Sequence, residues 1–470
     1  MKLQEVLNRL PALNGQALLP LLREAADQVP EKIIVLDDDP TGIQTVHDVH
    51  VYTDWGIESI RQGFAEKNRV FYLLTNSRSF TVEETTRVHR EIASNIATVA
   101  KETGMPFQVI LRGDSTLRGH YPLETLLVRD TLENALGIHY DGEILCPFFE
   151  EGGRYTIDDI HYVDVRGELI PAGETEFAKD KTFGYHSSNL ADYIAEKSGH
   201  AVAVRSISLE MLRGQRYDEI CQLLMETSDY GHLIVNAVSY EDLSVFATAF
   251  YRAAAQGKKF MIRSSASLVK VLGCISDRPL LTATDLGVQA VSGGLIIAGS
   301  HTQKTTQQLA AVLKLPYVKQ IVLNQHLVLD PPAFAEEIRR VTEEVNRCIH
   351  EGQTVIVMTR RERIDAGTGN PEDDLRIAVT ISDAITSIVC NLQEAPSFLI
   401  AKGGITSSDI GTRGLQVKKA LAMGQILPGI PVWKTGSESR FPGLSYVIFP
   451  GNVGQEDSLR IIVEKLSQKG

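Results

Sequence analysis

Short apolar runs, each ending in a polar or glycine-bearing turn, recur along the chain from residue 32 onward, with longer amphipathic stretches between them. The first series comprises Lys32–Leu36, Val70–Leu74, Gln108–Leu111, Glu143–Cys146, Ala201–Val204, Leu233–Val235 and Phe260–Ile262. Their length predicts strands. The stretch Val82–Val99 has helical period and opens on Thr81, followed by Glu83 and Glu84, which predicts a capped helix start. Leu3, Val6, Leu7 and Leu10 share a helix face and predict a helical lead-in over residues 1–29. Strands alternating with helices predict an α/β architecture built on mostly parallel sheets flanked by helices.

A second series begins near residue 290, with Leu295–Ala298, Gln320–Leu323, Thr354–Met358, Ser397–Ile400 and Tyr446–Phe449. Between the two series, Ser276–Gly293 is polar, bears glycine and lacks strong periodicity. A length of 470 residues exceeds one ordinary compact domain. Two domains are therefore expected, residues 1–285 and 286–470.

Charge and cysteine content narrow the function classes. A net charge of −12 argues against broad nucleic-acid binding, which needs a positive surface. It leaves room for a small anion held by a few local arginines. The five cysteines form no CxxC pair, so neither a disulfide framework nor a zinc site is expected. The charged N-terminus lacks a leader-like apolar core, and no apolar run nears the roughly 20 residues that span a bilayer. The expectation is a soluble, cytoplasmic protein with no membrane or nucleic-acid partner.

Two motifs in the first half carry chemistry. In Val35-Leu36-Asp37-Asp38-Asp39-Pro40-Thr41-Gly42 an apolar strand ends in three carboxylates. Ligand crevices of open α/β sheets lie at such carboxyl ends. The cluster suits accepting substrate hydroxyls, holding a metal or acting as a base; the plain alternative is a polar turn with an Asp cap. In Leu111-Arg112-Gly113-Asp114-Ser115-Thr116-Leu117-Arg118-Gly119-His120, two arginines, an Asp and two hydroxyls follow another strand. Arg forks match carboxylates, and Asp and hydroxyls match sugar hydroxyls, the composition of a polyhydroxy-acid site. Thr75-Asn76-Ser77-Arg78 ends a third strand alike, adding Asn76 and Arg78. His47 and His50 have His-x-x-His spacing but no third ligand, and a structural role is expected; no metal ligand is assigned.

In the second half, Gly299-Ser300 follows one strand, Gly403-Gly404-Ile405-Thr406 a second and Pro450-Gly451-Asn452-Val453-Gly454 a third. Neither a Walker loop nor a dinucleotide fingerprint is present. Paired glycines let backbone approach a ligand, and three such turns suggest a nucleotide cradle.

Together these motifs resemble the four-carbon acid sugar kinase family over nearly the whole chain. Asp38-Asp39-Pro40-Thr41-Gly42 is similar to its N-terminal Asp-Asp-x-Thr-Gly, and Asp114–Gly119 to its Asp-Ser-Thr-Leu-Arg-Gly without mismatch. Gly299-Ser300, Gly403–Thr406 and Pro450–Gly454 resemble its C-terminal glycine turns. The chain departs from the family pattern at Pro40, at Arg112-Gly113 and at Phe449. The resemblance implies an N-terminal sugar-acid domain, a C-terminal ATP domain, and phosphorylation of acids such as threonate, erythronate and 3-oxo-tetronate.

The expected reaction is in-line phosphoryl transfer with ATP and Mg²⁺. Asp38, Asp39 and Asp114 are the expected catalytic residues. Arg112, Ser115, Arg118, Asn76 and Arg78 are expected to bind the acid. Ser300, Gly403, Gly404, Ile405, Thr406, Gly451 and Asn452 are expected to bind the nucleotide. The rival readings are a magnesium-dependent hydrolase or phosphatase and a non-catalytic sugar-acid sensor. A homo-oligomer is left open.

Overall fold

The computed structural model describes residues 2–288, 291–299, 302–362, 371–451 and 453–467. The chain divides into two compact units, Met1–Asp277 and Arg278–Gly470. Leu281, Ala283 and Leu286 belong to the core of the second unit, so the segment before residue 286 goes with that unit.

In the first unit the strands are β1 (Lys32–Asp37), β2 (Val49–Tyr52), β3 (Val70–Leu74), β4 (Phe107–Arg112) and β5 (Gly142–Cys146). Three short strands follow, β6 (Arg154–Ile157), β7 (Ile160–Val165) and β8 (Glu168–Pro171). The last three are β9 (Val204–Ile207), β10 (Gly231–Val235) and β11 (Phe260–Ser264). The main sheet runs β2-β3-β1-β4-β11-β5-β10-β9, all parallel. β1 and β3 are buried at every position, because helices cover both faces of a parallel sheet. The helix Val82–Thr103 starts on a capping box between Thr81 and Glu84 and buries Val88, Ile92, Ile96 and Val99 on one face. The expected strand at Ala201–Val204 begins only at Val204, where pairing with β10 starts. The lead-in is two helices, Leu3–Leu7 and Gly15–Asp27.

β6, β7 and β8 form a separate antiparallel sheet that the apolar pattern does not single out. Its strands are short and interleave polar residues with apolar ones, so they lack the continuous apolar runs of the parallel sheet.

In the second unit the strands are β12 (Leu295–Ala298), β13 (Val318–Leu323), β14 (Thr354–Thr359), β15 (Leu399–Lys402), β16 (Lys419–Leu427), β17 (Ile430–Thr435) and β18 (Ser445–Phe449). The order is β13-β14-β12-β15-β18-β17-β16. The first five are parallel, and β17 and β16 join antiparallel at the edge. β16 alternates buried and half-buried positions. Among the described residues no helix is long and apolar enough to cross a membrane.

Candidate active site

β1, β3, β4 and β11 are neighbours in one parallel sheet, so their carboxyl ends deliver Asp37–Asp39, Asn76–Arg78, Arg112–Arg118 and Arg263 to the same edge. Arg78 joins two of these segments: Nη2 and Nε donate to Asp38 at 2.6 and 3.2 Å, and Nη1 to Asp39 at 3.4 Å. Arg112, almost fully buried, donates from Nη1 to Asp37 Oδ1 at 3.1 Å and to Asp38 Oδ1 at 3.3 Å. Two guanidiniums thereby offset most of the charge of three adjacent carboxylates.

The three aspartates differ in role. Asp39 caps the short helical turn Pro40–Ile43 by accepting from Thr41 N at 2.9 Å. Burial works to raise its pKa, but Arg78, Arg112 and the Thr41 bonds outweigh burial and hold it below the ordinary range. Asp37 lies deepest, and burial, only partly offset by Arg112, pushes its pKa up to about 7.

Within the second motif, Arg118 Nε donates to Asp114 Oδ2 at 2.7 Å, and Thr116 Oγ also donates to Asp114. Burial works to raise the Asp114 pKa, yet Arg118 and Arg78 hold it far below the usual carboxylate range. The segment behind β5 grips the backbone of this motif. His161 Nε2 donates to Ser115 O at 2.8 Å, Tyr185 Oη to Thr116 O at 2.9 Å and Tyr193 Oη to Leu117 O at 2.8 Å. Three consecutive carbonyls are satisfied from outside, which holds a loop that has no ladder of its own. Burial lowers the His161 pKa to about 4, so the ring is neutral.

Asn76 adopts left-handed backbone (φ 56°), where Asn is better tolerated than most residues, and starts the turn Ser77–Ser79 that presents Arg78. Ser115 is buried. His47 pairs with Asp48 and the Ser276 carbonyl, whereas His50 faces Glu66, so the two histidines do not converge. Among the described residues no group of three or more His, Cys, Asp or Glu side chains could hold a metal ion.

Two residues of this site escape a motif reading. Arg263, at the end of β11, donates to Glu124 Oε2 at 2.7 Å, and Ser77 Oγ donates to Glu124 Oε1 at 2.6 Å. Burial opposes ionisation of Glu124, but Arg263 and nearby His89 bring its pKa to about 2. The available signal is a lone charge closing the apolar run Phe260–Ile262.

In the second unit, β12, β15 and β18 are adjacent and parallel, with Ala298 opposite Lys402 and Lys402 opposite Phe449. Their glycine turns therefore stand side by side. Gly403 N donates to Phe449 O at 2.8 Å, and its φ of 115° is a conformation that side-chain-bearing residues rarely adopt. A Cβ on Gly299 would lie 3.1 Å from Thr406 Oγ1, which puts the first and second turns in contact. Gln308 Nε2, from the helix Gln303–Val312, donates to Val453 O at 3.3 Å and Gln455 O at 2.9 Å and steadies the third turn. Gly451 has open space where a Cβ would stand, and Ile405 is 65% exposed. Ser300 and Asn452 lie outside the described residues.

Lys402 closes β15 and is fully buried. Its Nζ donates to Pro450 O at 2.7 Å and lies 3.9 Å from the centre of the Phe449 ring. Burial, reinforced by Lys304, lowers its pKa to about 7.

Residues 33–272 match the family model described as a sugar-binding N-terminal domain, and residues 295–459 match the nucleotide-binding C-terminal domain. The two matches together define a two-domain architecture, a sugar-binding domain followed by a nucleotide-binding domain. The chain belongs to the four-carbon acid sugar kinase family. A D-erythronate kinase of Heliobacterium modesticaldum is 28% identical over 299 residues. That match covers 62% of this chain and 61% of the relative, less than two thirds of its length. A solved structure from Salmonella typhimurium LT2 covers 92% of this chain and 99% of its own, at 16% identity and a TM-score of 0.66. One from Haemophilus influenzae covers 92% and 100%, at 17% identity and a TM-score of 0.59. At these identities the likeness to the solved structures concerns the fold.

Proposed function

We propose that the protein is an ATP-dependent kinase that phosphorylates a hydroxyl of a small sugar acid of the threonate, erythronate or 3-oxo-tetronate class. The observation that carries this reading is the row of three glycine turns on the adjacent strands β12, β15 and β18. A hydrolase or a sensor has no use for such a cradle. The match to a nucleotide-binding domain and the D-erythronate kinase relative support the same reading.

ATP sits on Gly403, Gly404, Ile405, Thr406 and Gly451; Ser300 and Asn452, also expected at the nucleotide, lie outside the described residues. The acid sits among Asn76, Arg78, Arg112, Ser115 and Arg118 at the strand ends of the first unit. Its hydroxyl oxygen attacks the γ-phosphorus, the bond to the β–γ bridging oxygen breaks, and ADP leaves. The hydroxyl proton passes to the Asp38–Asp39 pair. Asp114, held far below the usual carboxylate range, accepts hydrogen bonds from the acid's hydroxyls. The Asp37–Asp39 cluster does not fit a protein cage for Mg²⁺, since Arg78 and Arg112 already occupy its oxygens. Magnesium is instead expected to arrive on the nucleotide phosphates.

A screen of tetronic and related acids with Mg-ATP tests the reading. Acid-dependent ADP release with a phosphorylated acid is expected. Absence of ATP binding by calorimetry, or ATP turnover indifferent to every acid, would overturn it.

A further inference from the structure

The arginines around the first-unit site are not equivalent. Arg78 faces Asp38 and Asp39, Arg112 faces Asp37 and Asp38, Arg118 faces Asp114 and, at 3.9 Å, Asp180, and Arg263 faces Glu124. Arg154, the first residue of β6, has no carboxylate within ion-pair distance among the described residues, and its buried Nε has no hydrogen-bond partner. Its Nη1 donates only to the backbone carbonyl of Gly152. A half-buried guanidinium without a counter-charge is costly, because desolvation is not offset by pairing.

The surroundings of Arg154 tie it to the second motif. Its guanidinium lies 5.6 Å from the centre of the Phe177 ring, and that of Arg118 lies 5.1 Å from the same ring. Burial weighs most against its charge; Asp114 favours that charge from a distance, and Arg118 opposes it. The segment bearing Arg154 is pinned to the motif backbone by His161, Tyr185 and Tyr193. Two guanidiniums therefore share one aromatic platform beside Asp114, and only one of them has its charge met.

We infer that Arg154 receives the carboxylate of the substrate acid, with Arg118 positioned by Asp114 as its companion. This rests on the reading of the first-unit site as a sugar-acid site. The inserted sheet then brings in the positive charge that selects an acid over a neutral polyol. A planar fork beside a second guanidinium suits a carboxylate better than a hydroxyl.

The test is binding of erythronate and threonate to the full chain without nucleotide, by calorimetry, for wild type, Arg154→Gln and Arg154→Lys. Steady-state kinetics with Mg-ATP run alongside. Arg154→Gln is expected to weaken acid binding at least tenfold, with Arg154→Lys in between. KM for ATP should stay within twofold, and the melting temperature should not fall, since an unpaired charge is removed. Acid affinity within twofold of wild type in Arg154→Gln overturns the inference, as does a KM for ATP that rises in step with that for the acid. Acid binding that depends on Arg154 without phosphoryl transfer sinks the kinase reading and leaves this inference standing. Phosphoryl transfer untouched by Arg154→Gln does the reverse. A wild-type protein that binds neither acid overturns this inference, whereas the kinase reading is decided by the acid screen with Mg-ATP.

Discussion

A Cβ on Gly119 would lie 2.8 Å from Nη2 of Arg263. On Gly113 it would overlap the same guanidinium. The glycines that bracket the Asp-Ser-Thr-Leu-Arg motif thus make room for an arginine 144 to 150 residues away in sequence, which then pairs with Glu124. Gly119 also needs its φ of 135°.

Gly113→Ala is accordingly expected to displace Arg263 from Glu124 and to destabilise the protein by about 1–3 kcal/mol, the usual cost of overpacking. Gly451→Ala serves as the control. Nothing lies within 4 Å of the added Cβ, so a change within about 0.5 kcal/mol is expected there. Urea unfolding of both variants is the measurement, and equal effects would sink the packing account.

Asp38→Asn and Asp39→Asn separate catalysis from capping. Asn caps a turn about as well as Asp, and Asp39 does cap Pro40–Ile43. If the pair takes the hydroxyl proton, at least one variant should fold normally yet lose about 10²–10⁴-fold in kcat. Wild-type kcat in both variants, with an acid that the wild type phosphorylates, would make the cluster structural.

Lys402 makes stability depend on pH. Its folded pKa, about 7, lies below the ordinary lysine value of 10.5, so the unfolded chain holds more protons between those values. The penalty for burying the charge is fully present below about pH 7 and is relieved as pH rises toward 10.5. This one site raises stability by up to about 1.4 kcal/mol per pH unit in that window. Lys402→Met should remove that slope, and chemical denaturation at pH 7, 8 and 9 reads it directly. An unchanged slope in the variant would refute the assignment.

Gly451→Ala addresses the nucleotide cradle. The Cβ would meet open space, so the fold should keep its melting temperature. A nucleotide resting against the Pro450–Gly451 turn would be pushed away, and KM for ATP should rise several-fold while KM for the acid holds. Unaltered ATP kinetics would remove this turn from the cradle.

The parallel α/β architecture and the strand-end position of both charged motifs were legible in the sequence. Buried parallel strands such as Lys32–Asp37 are continuous apolar runs, and a carboxylate cluster at the end of one can only face a sheet edge. Family membership was legible too, because Asp114–Gly119 and the glycine turns are contiguous segments. Long-range pairing was not. Nothing local in Phe260–Ser264 indicates that Arg263 closes over Gly113 and Gly119, since strand order decides that β11 lies beside β4. The adjacency of β12, β15 and β18 likewise turned three separate glycine turns into one row. The unmatched charge of Arg154 was visible only in three dimensions, because a residue's counter-ion is set by what packs around it and not by its neighbours in the chain.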